Sequence, residues 1–221
     1  MNLDKNNENI VFKIRYQKTK WKEYFELTTL RITFLSLILA LNITLAIFSR
    51  FIMGMIKIPP VDFMVLELTL VTYLVVLYFL NLFYTVIFVF IGTWVRLIIG
   101  DEPVGLLAMN IIDLATVLSF WILSFLLYKF LINTNLNRKQ YLSRMYIIQG
   151  FSGLITAFIT AAMGIFINWA FLLTLYGVPI ESQNILLFPI GIFNFVKIGV
   201  NIIIYLSCFY AIDLLFNRYK I

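Results

Sequence analysis

Three polar side chains near the end of the sequence have the types and the spacing to bind a polar ligand. Asn194, Lys197 and Asn201 are three and four residues apart, so a helix would place them on one face. The segment around Lys197 is largely apolar, so its charge requires a protein interior or a cavity rather than lipid. Its position alone leaves three roles open. These are contact with a ligand, a structural pair with a buried acid such as Asp113, and snorkelling to an interface.

Other polar residues stand alone in apolar surroundings. Asn168 is one of them, although a buried amide can simply join two helices by hydrogen bonds. Glu67 follows a Pro-Pro pair, and Asn110 follows a loop rich in glycine and acid. Arg96 and Asp213 lie near the ends of apolar runs, and we expect both side chains to snorkel to the membrane interface.

The sequence contains no catalytic constellation. It has no histidine and a single cysteine, Cys208, which removes the commonest general base and excludes an intrachain disulfide. It also has no cluster of metal ligands, no glycine loop for phosphate and no nucleophile beside a base. We therefore expect neither an enzyme nor a metal site, and no ATPase activity from this chain alone.

The composition is that of an integral membrane protein. Of 221 residues, 62% are hydrophobic and 13% are charged, whereas a soluble domain is about half apolar and about a quarter charged. A helix needs roughly 20 mainly apolar residues to cross a bilayer. Long stretches without any charge occupy residues 32–48, 114–128, 145–176 and 198–212. The net charge of +6 is concentrated beside these stretches, so we expect a lipid bilayer rather than nucleic acid as the partner.

The apolar runs predict an all-α protein of about six transmembrane helices. The second and third spans share residues 61–99, with a turn near Asn81 that no glycine or proline marks. Residues 1–29 are predicted to form a polar cytoplasmic extension, either with a short surface helix at 21–27 or as a mobile tail, and residues 30–221 are predicted to form the transmembrane domain. The other four spans are predicted at about residues 30–55, 106–131, 145–175 and 185–216.

The distribution of positive charge predicts the orientation. Seven of the 17 lysines and arginines lie between Lys5 and Arg31, three lie in the loop at 133–144, and two lie at the C-terminus. The loops near Gly100 and Tyr176 carry only acids. Cytoplasmic loops are enriched in Lys and Arg, so both termini are predicted to be cytoplasmic, as an even number of spans requires.

Small side chains recur every four residues in the first span, at Ser36, Ala40 and Thr44. Such a helix face lets another helix approach closely. Without further information, the simplest partner is another helix of the same chain.

Four short motifs occur in a characteristic order along the chain. The segment IKIPP at 56–60 precedes Glu67, GDEPVG at 100–105 precedes Asn110, NWAFLL at 168–173 precedes LYG at 175–177, and FNFVK occupies 193–197. In these motifs and their order the sequence resembles the riboflavin-specific S components of energy-coupling factor (ECF) vitamin transporters. The resemblance covers most of residues 30–215.

The resemblance implies a bacterial plasma-membrane subunit that captures riboflavin at the outer face and releases it inside. Riboflavin or FMN would be the transported ligand, and no cofactor is expected. The substrate-binding residues would be Asn168, Asn194, Lys197, Glu67 and Asn110. The face formed by Ser36, Ala40 and Thr44 would pack on a transmembrane coupling subunit, which works with two cytoplasmic ATPase subunits.

The chemistry of a flavin suits these residue types. Isoalloxazine is a flat apolar ring with an imide edge of alternating acceptors and a donor, and an asparagine amide can read that edge. Lys197 can donate a hydrogen bond to a carbonyl or to ribityl hydroxyls, and aromatic side chains can stack on the ring.

Some features depart from the family pattern. Asn81 and its neighbours replace a Gly-Pro turn, and the polar N-terminus is longer than usual. Arg50 and Lys57 add positive charge on the predicted outer side, which leaves FMN open as the ligand. The alternatives are another vitamin such as folate or thiamine, a polytopic membrane enzyme, or a scaffold without a small ligand.

Overall fold

The computed structural model of this protein describes residues 24–55, 61, 64–132 and 136–219. Throughout this part of the chain the only regular secondary structure is helical. The main helices are α1 (Thr29–Phe51), α2 (Leu70–Phe79), α3 (Leu82–Trp94), α4 (Pro103–Leu131), α5 (Arg138–Ile167) and α6 (Ile180–Tyr219).

Five of these helices are long and apolar enough to cross a membrane, so the chain is a multi-pass membrane protein. They are α1, α4, α6, α3 together with the 3-10 turn Val95–Ile99, and α5 together with its continuation to Leu175. That continuation is a π-helical segment, Asn168–Leu172, followed by one short α-helical turn.

The second predicted span differs from the structure. Residues 64–69 are not helical before α2 begins at Leu70, and α2 has only 10 residues. A helix of that length rises about 15 Å, which is half the thickness of a typical hydrocarbon core. Most of its side chains are buried, so α2 is a short core helix, and the predicted helix starting near residue 61 is wrong. The predicted breakers Lys57, Pro59, Pro60 and Asp62 lie outside the described residues.

The segment before α2 and α2 itself nevertheless connect opposite ends of the bundle. At one end, the Leu68 amide donates a hydrogen bond to Ser49 Oγ near the end of α1, at 3.2 Å. At the other end, Asn81 Nδ2 donates to the Tyr24 carbonyl at 2.8 Å, and the ring of Phe216 packs on the end of α2. The first and last parts of the chain that the structure describes therefore lie at the same end.

Helix caps explain where several helices begin. Asn81 Oδ1 accepts a hydrogen bond from the Tyr84 amide at 3.0 Å, which confirms the turn predicted near Asn81. Asn137 and Gln140 form a reciprocal capping box at the start of α5. Pro103 occupies the first turn of α4. Because of these signals, α4 and α5 begin three and seven residues earlier than their predicted spans, and α6 begins five residues earlier than predicted.

Helix α5 packs between α4 and α6, and glycine permits its closest approach to α6. A Cβ atom added at Gly153 would lie 2.6 Å from Ile202 Cγ2. We expect Gly153→Ala to lower the free energy of unfolding by about 1–3 kcal/mol through overpacking. Gly199→Ala is the matched control, since an added Cβ there meets no atom within 4 Å. Thermal unfolding in detergent measures both, and equal melting temperatures would contradict the tight contact.

The residues before α1 differ in part from the predicted surface helix. Residues 21–23 of the predicted surface helix lie outside the described residues, Tyr24 is helical, and residues 25–27 are not helical. The ring of Phe25 instead packs edge-on against Phe83, with centroids 4.8 Å apart. Residues 25–27 are therefore an irregular segment, and Phe25 contacts the first turn of α3.

Candidate functional site

A buried carboxylate lies at the centre of the polar interior. Glu67 is 0% exposed and belongs to the non-helical segment before α2. Its Oε2 accepts a hydrogen bond from Lys197 Nζ of α6 at 3.0 Å, and its Oε1 forms an ion pair with Arg96. Two cations from different helices thus compensate one buried acid, as burial of a charge requires.

The ion pairs continue towards the loop between α3 and α4. Arg96 donates from Nε to Asp101 Oδ2 at 2.7 Å, and Arg50 of α1 approaches Asp101 Oδ1 at 2.5 Å. These contacts form one chain of alternating charges, which consists of Lys197, Glu67, Arg96, Asp101 and Arg50. We call it the ion-pair chain. It runs from the buried interior to the partly exposed Arg50, whose side chain is 32% exposed.

The prediction that Arg96 snorkels is wrong. Arg96 is 5% exposed and is enclosed by its two acidic partners. Glu67 and Asp101 compensate the charge of the guanidinium inside the protein, so the side chain does not need to reach the interface.

Asn201 holds the backbone around Glu67 in place. Its Nδ2 donates to the Glu67 carbonyl at 2.6 Å and to the Lys197 carbonyl at 2.8 Å. A non-helical segment inside a membrane protein must have its backbone polar groups satisfied by other groups. Asn201 and the bond from Leu68 to Ser49 serve that purpose. Asn201 thus shares the helix face of Lys197, as the spacing predicts, and its observed contacts fix the position of Glu67.

The side chains of Asn168 and Asn194 both lie beside Gly164. Asn168 Nδ2 donates to the Gly164 carbonyl at 2.8 Å, and a Cβ atom added at Gly164 would lie 2.5 Å from Asn194 Nδ2. Asn194 Nδ2 itself donates to the Ile190 carbonyl at 2.9 Å. Asn194 precedes Lys197 by about one helical turn. The structure therefore brings together the three residues that the sequence predicts as the main ligand contacts.

Asn168 also begins the π-helical segment of the fifth span. Single-turn π-helical insertions in α-helices occur frequently at functional sites, because they shift the side chains that follow. No spacing pattern in the sequence signals this segment.

Asn110 and Asp113 supply further buried polar atoms from α4. They are 4% and 2% exposed, and Asn110 Nδ2 and Asp113 Oδ1 have no hydrogen-bond partner in the described structure. The pairing of Lys197 with a buried acid, one of the three roles left open by the sequence, is observed, and the acid is Glu67 rather than Asp113.

The small-residue face of α1 points outward. Ser36, Ala40 and Thr44 are exposed, and the buried face of α1 consists of Ile38, Asn42, Ala46 and Ser49. The hydroxyls of Ser36 and Thr44 donate to the carbonyls four residues earlier, at 3.0 and 2.9 Å. Packing of this face within the chain is therefore not observed among the described residues.

Asp213, also predicted to snorkel, is buried at the opposite end of α6. It is 2% exposed, and its Oδ1 accepts a hydrogen bond from the Tyr78 hydroxyl at 2.5 Å. Asn217 Nδ2 donates to Oδ2 at 2.9 Å. The prediction is wrong because α2, although short, places a hydroxyl beside this carboxylate.

The described residues contain no group of three His, Cys, Asp or Glu side chains that could hold a metal ion. The polar groups of the site are amides, an ammonium and carboxylates, all of which can form hydrogen bonds. No protein-family model and no curated protein matches this chain.

Proposed function

We propose that this protein is the substrate-binding S subunit of an ECF-type transporter that takes up riboflavin. The observation that carries the proposal is the group formed by Asn168, Asn194 and Lys197. All three side chains are buried in a multi-pass membrane protein. Asn168 and Asn194 lie beside Gly164 between α5 and α6, and Lys197, one helical turn beyond Asn194, pairs with Glu67. Polar groups in such a position are costly, and they most often mark the path or the site of a substrate.

The group has the hydrogen-bonding capacity that a flavin ring needs. Each amide offers both a donor and an acceptor for the alternating imide edge of isoalloxazine. Lys197 donates one hydrogen bond to Glu67, and an ammonium has three donors. The lysine can thus donate to a ligand carbonyl while Glu67 keeps it charged inside the protein.

The location of the group supports capture from outside the cell. Asn168 lies near the end of the fifth span, beside the acidic loops, and away from the end where Tyr24 and Phe216 lie. The described basic residues Arg31, Arg144 and Arg218 lie at that latter end, which is the cytoplasmic end by the positive-inside rule. The plasma membrane of a bacterium is the proposed location.

The outward face of α1 supports the proposed partners. Ser36, Ala40 and Thr44 leave a shallow exposed surface that another transmembrane helix can approach closely. We place the transmembrane coupling subunit there, with two cytoplasmic ATPase subunits attached to it, since no residue group of this chain is suited to ATP hydrolysis.

Riboflavin is favoured over FMN by the contacts of Arg50. That arginine already pairs with Asp101, so its charge is compensated within the protein. A titration of tryptophan fluorescence with riboflavin, FMN, folate and thiamine separates the candidate vitamins. We expect riboflavin to bind most tightly. Tighter binding of another vitamin would replace the proposed substrate, and no binding at all would favour a membrane enzyme or a scaffold.

We expect Asn194→Ala and Lys197→Ala each to weaken riboflavin binding by at least about tenfold, or about 1.4 kcal/mol. Both variants should fold, because Glu67 retains Arg96 as a partner when Lys197 is lost. The fluorescence titration measures the affinity directly.

Asn217→Ala is the matched control, because it removes a partly buried amide from the same helix. Asn217 lies 23 residues beyond Asn194, or about 35 Å along α6. Unchanged affinity in both site variants would refute the assignment of the binding site, and equal losses in all three variants would indicate a general effect on folding.

A further inference from the structure

Of the three buried polar atoms of α4 that lack partners in the described structure, two lie one helical turn apart. Asn110 Nδ2 is a donor and Asp113 Oδ1 is an acceptor, and both have negligible accessible surface. Leaving such a group unpaired costs about 1–3 kcal/mol, and more when the group is charged. Two such unpaired atoms at one place therefore favour a polar ligand group that pairs with both.

The two residues lie on one face of α4. Residues three apart on a helix are neighbours, with Cβ atoms about 5–6 Å apart. That separation is about twice a hydrogen-bond length, so a single hydroxyl group can accept from Asn110 and donate to Asp113 at the same time.

The packing of α4 on α5 sets the level of this pair in the bundle. Thr116 Oγ1 and Thr160 Oγ1 lie 3.1 Å apart across the antiparallel interface. One turn from this contact, in the same direction, Asp113 lies on α4 and Gly164 lies on α5. Gly164 is the residue that Asn194 contacts, so Asp113 is level with the proposed flavin site.

The charged groups around Glu67 also lie near Asp113. Lys197, Glu67 and Arg96 all lie near enough to Asp113 to act on it electrostatically, although the lysine donates its hydrogen bond to Glu67. Asp113 thus faces the site from the α4 side, while the amides and the lysine face it from α5 and α6.

We propose that Asn110 and Asp113 form a subsite for hydroxyl groups of the ligand, namely the polyol chain attached to the flavin ring. The inference rests on the proposed function and extends it, because it assigns the ring and the chain to different sides of the site. A hydroxyl both donates and accepts, so it satisfies the two unpaired atoms together, whereas a carbonyl or an apolar group leaves at least one of them unpaired.

Comparison of riboflavin with lumiflavin tests the subsite. Lumiflavin has the same ring but a methyl group in place of the polyol chain. We expect Asp113→Ala to weaken riboflavin binding about tenfold, as loss of a hydrogen bond to a charged group does, and to leave lumiflavin binding within about twofold. Asp113→Asn keeps an acceptor oxygen, so it should restore part of the riboflavin affinity.

A second substitution and a control keep the test decisive if Asp113→Ala does not fold. Asn110→Ala removes only the donor and should discriminate between the two flavins in the same direction. Ser124→Ala removes another unpartnered buried hydroxyl of α4. Ser124 is 14 residues beyond Asn110, or about 21 Å away, and the substitution should change neither affinity.

Each remaining outcome contradicts the subsite. Equal losses for the two flavins would show that Asp113 only positions other residues, and unchanged affinities would show that ordered water alone occupies the pair. Wild-type protein that binds both flavins equally well would overturn the subsite and leave the proposed function intact. Wild-type protein that binds neither would overturn both.

Discussion

The Glu67→Ala variant should lose about 3–5 kcal/mol of stability, because removing one partner of a buried ion pair leaves an uncompensated charge. Among the described residues, Lys197 would lose its one salt-bridge partner, and Arg96 would keep Asp101 alone. The expected result is a lower melting temperature in detergent together with loss of flavin binding.

Two further variants separate this effect from general destabilisation. Glu181→Ala removes an exposed acid from the first turn of α6 and should change the melting temperature little. Adding Lys197→Met to Glu67→Ala removes the unpaired cation and should restore part of the lost stability, though not the flavin binding. A Glu67→Ala protein as stable as wild type would show that the ion-pair chain does not stabilise the fold.

The Ser36→Leu/Ala40→Leu double variant should bind riboflavin normally and lose uptake. Both side chains are exposed, so the larger leucines meet no neighbour among the described residues of this chain. At a helix–helix contact with the coupling subunit, the added bulk should cost about 1–3 kcal/mol at each position. Affinity in detergent and radiolabelled uptake in proteoliposomes with the full complex are the two measurements.

Ala46→Leu provides the contrasting control on the same helix. Ala46 is fully buried, so a leucine there should damage folding and binding as well as uptake. If the double variant behaves like Ala46→Leu, its face packs within the protein. If the double variant takes up riboflavin normally, the face has no part in coupling.

Most of the fold could be predicted from hydropathy because lipid imposes long apolar helices. The turn at Asn81 was also predictable, since an asparagine cap ends one apolar run and begins the next. The segment at 64–69 was not, because its apolar residues resemble a helix. Its non-helical backbone is satisfied by Ser49 and Asn201, which are distant in sequence.

The candidate site was predictable where one helix supplies several residues. The spacing of Asn194, Lys197 and Asn201 correctly indicated a shared face, and the same spacing rule places Asn110 beside Asp113. The choice of Glu67 as partner for Lys197 was not predictable, because it depends on how α2 and α6 pack. The sequence did contain a signal for the ion pair of Arg96, because Asp101 follows it by five residues across a glycine turn.

The most direct test of the account is whether the purified chain binds riboflavin. The protein should be expressed in cells supplied with riboflavin, purified in detergent, and measured for visible absorbance and for flavin released on denaturation. The account predicts a yellow protein with about one riboflavin per chain and a clearly lower flavin content in Asn194→Ala. Folded, colourless wild-type protein that also fails to bind added riboflavin would contradict it.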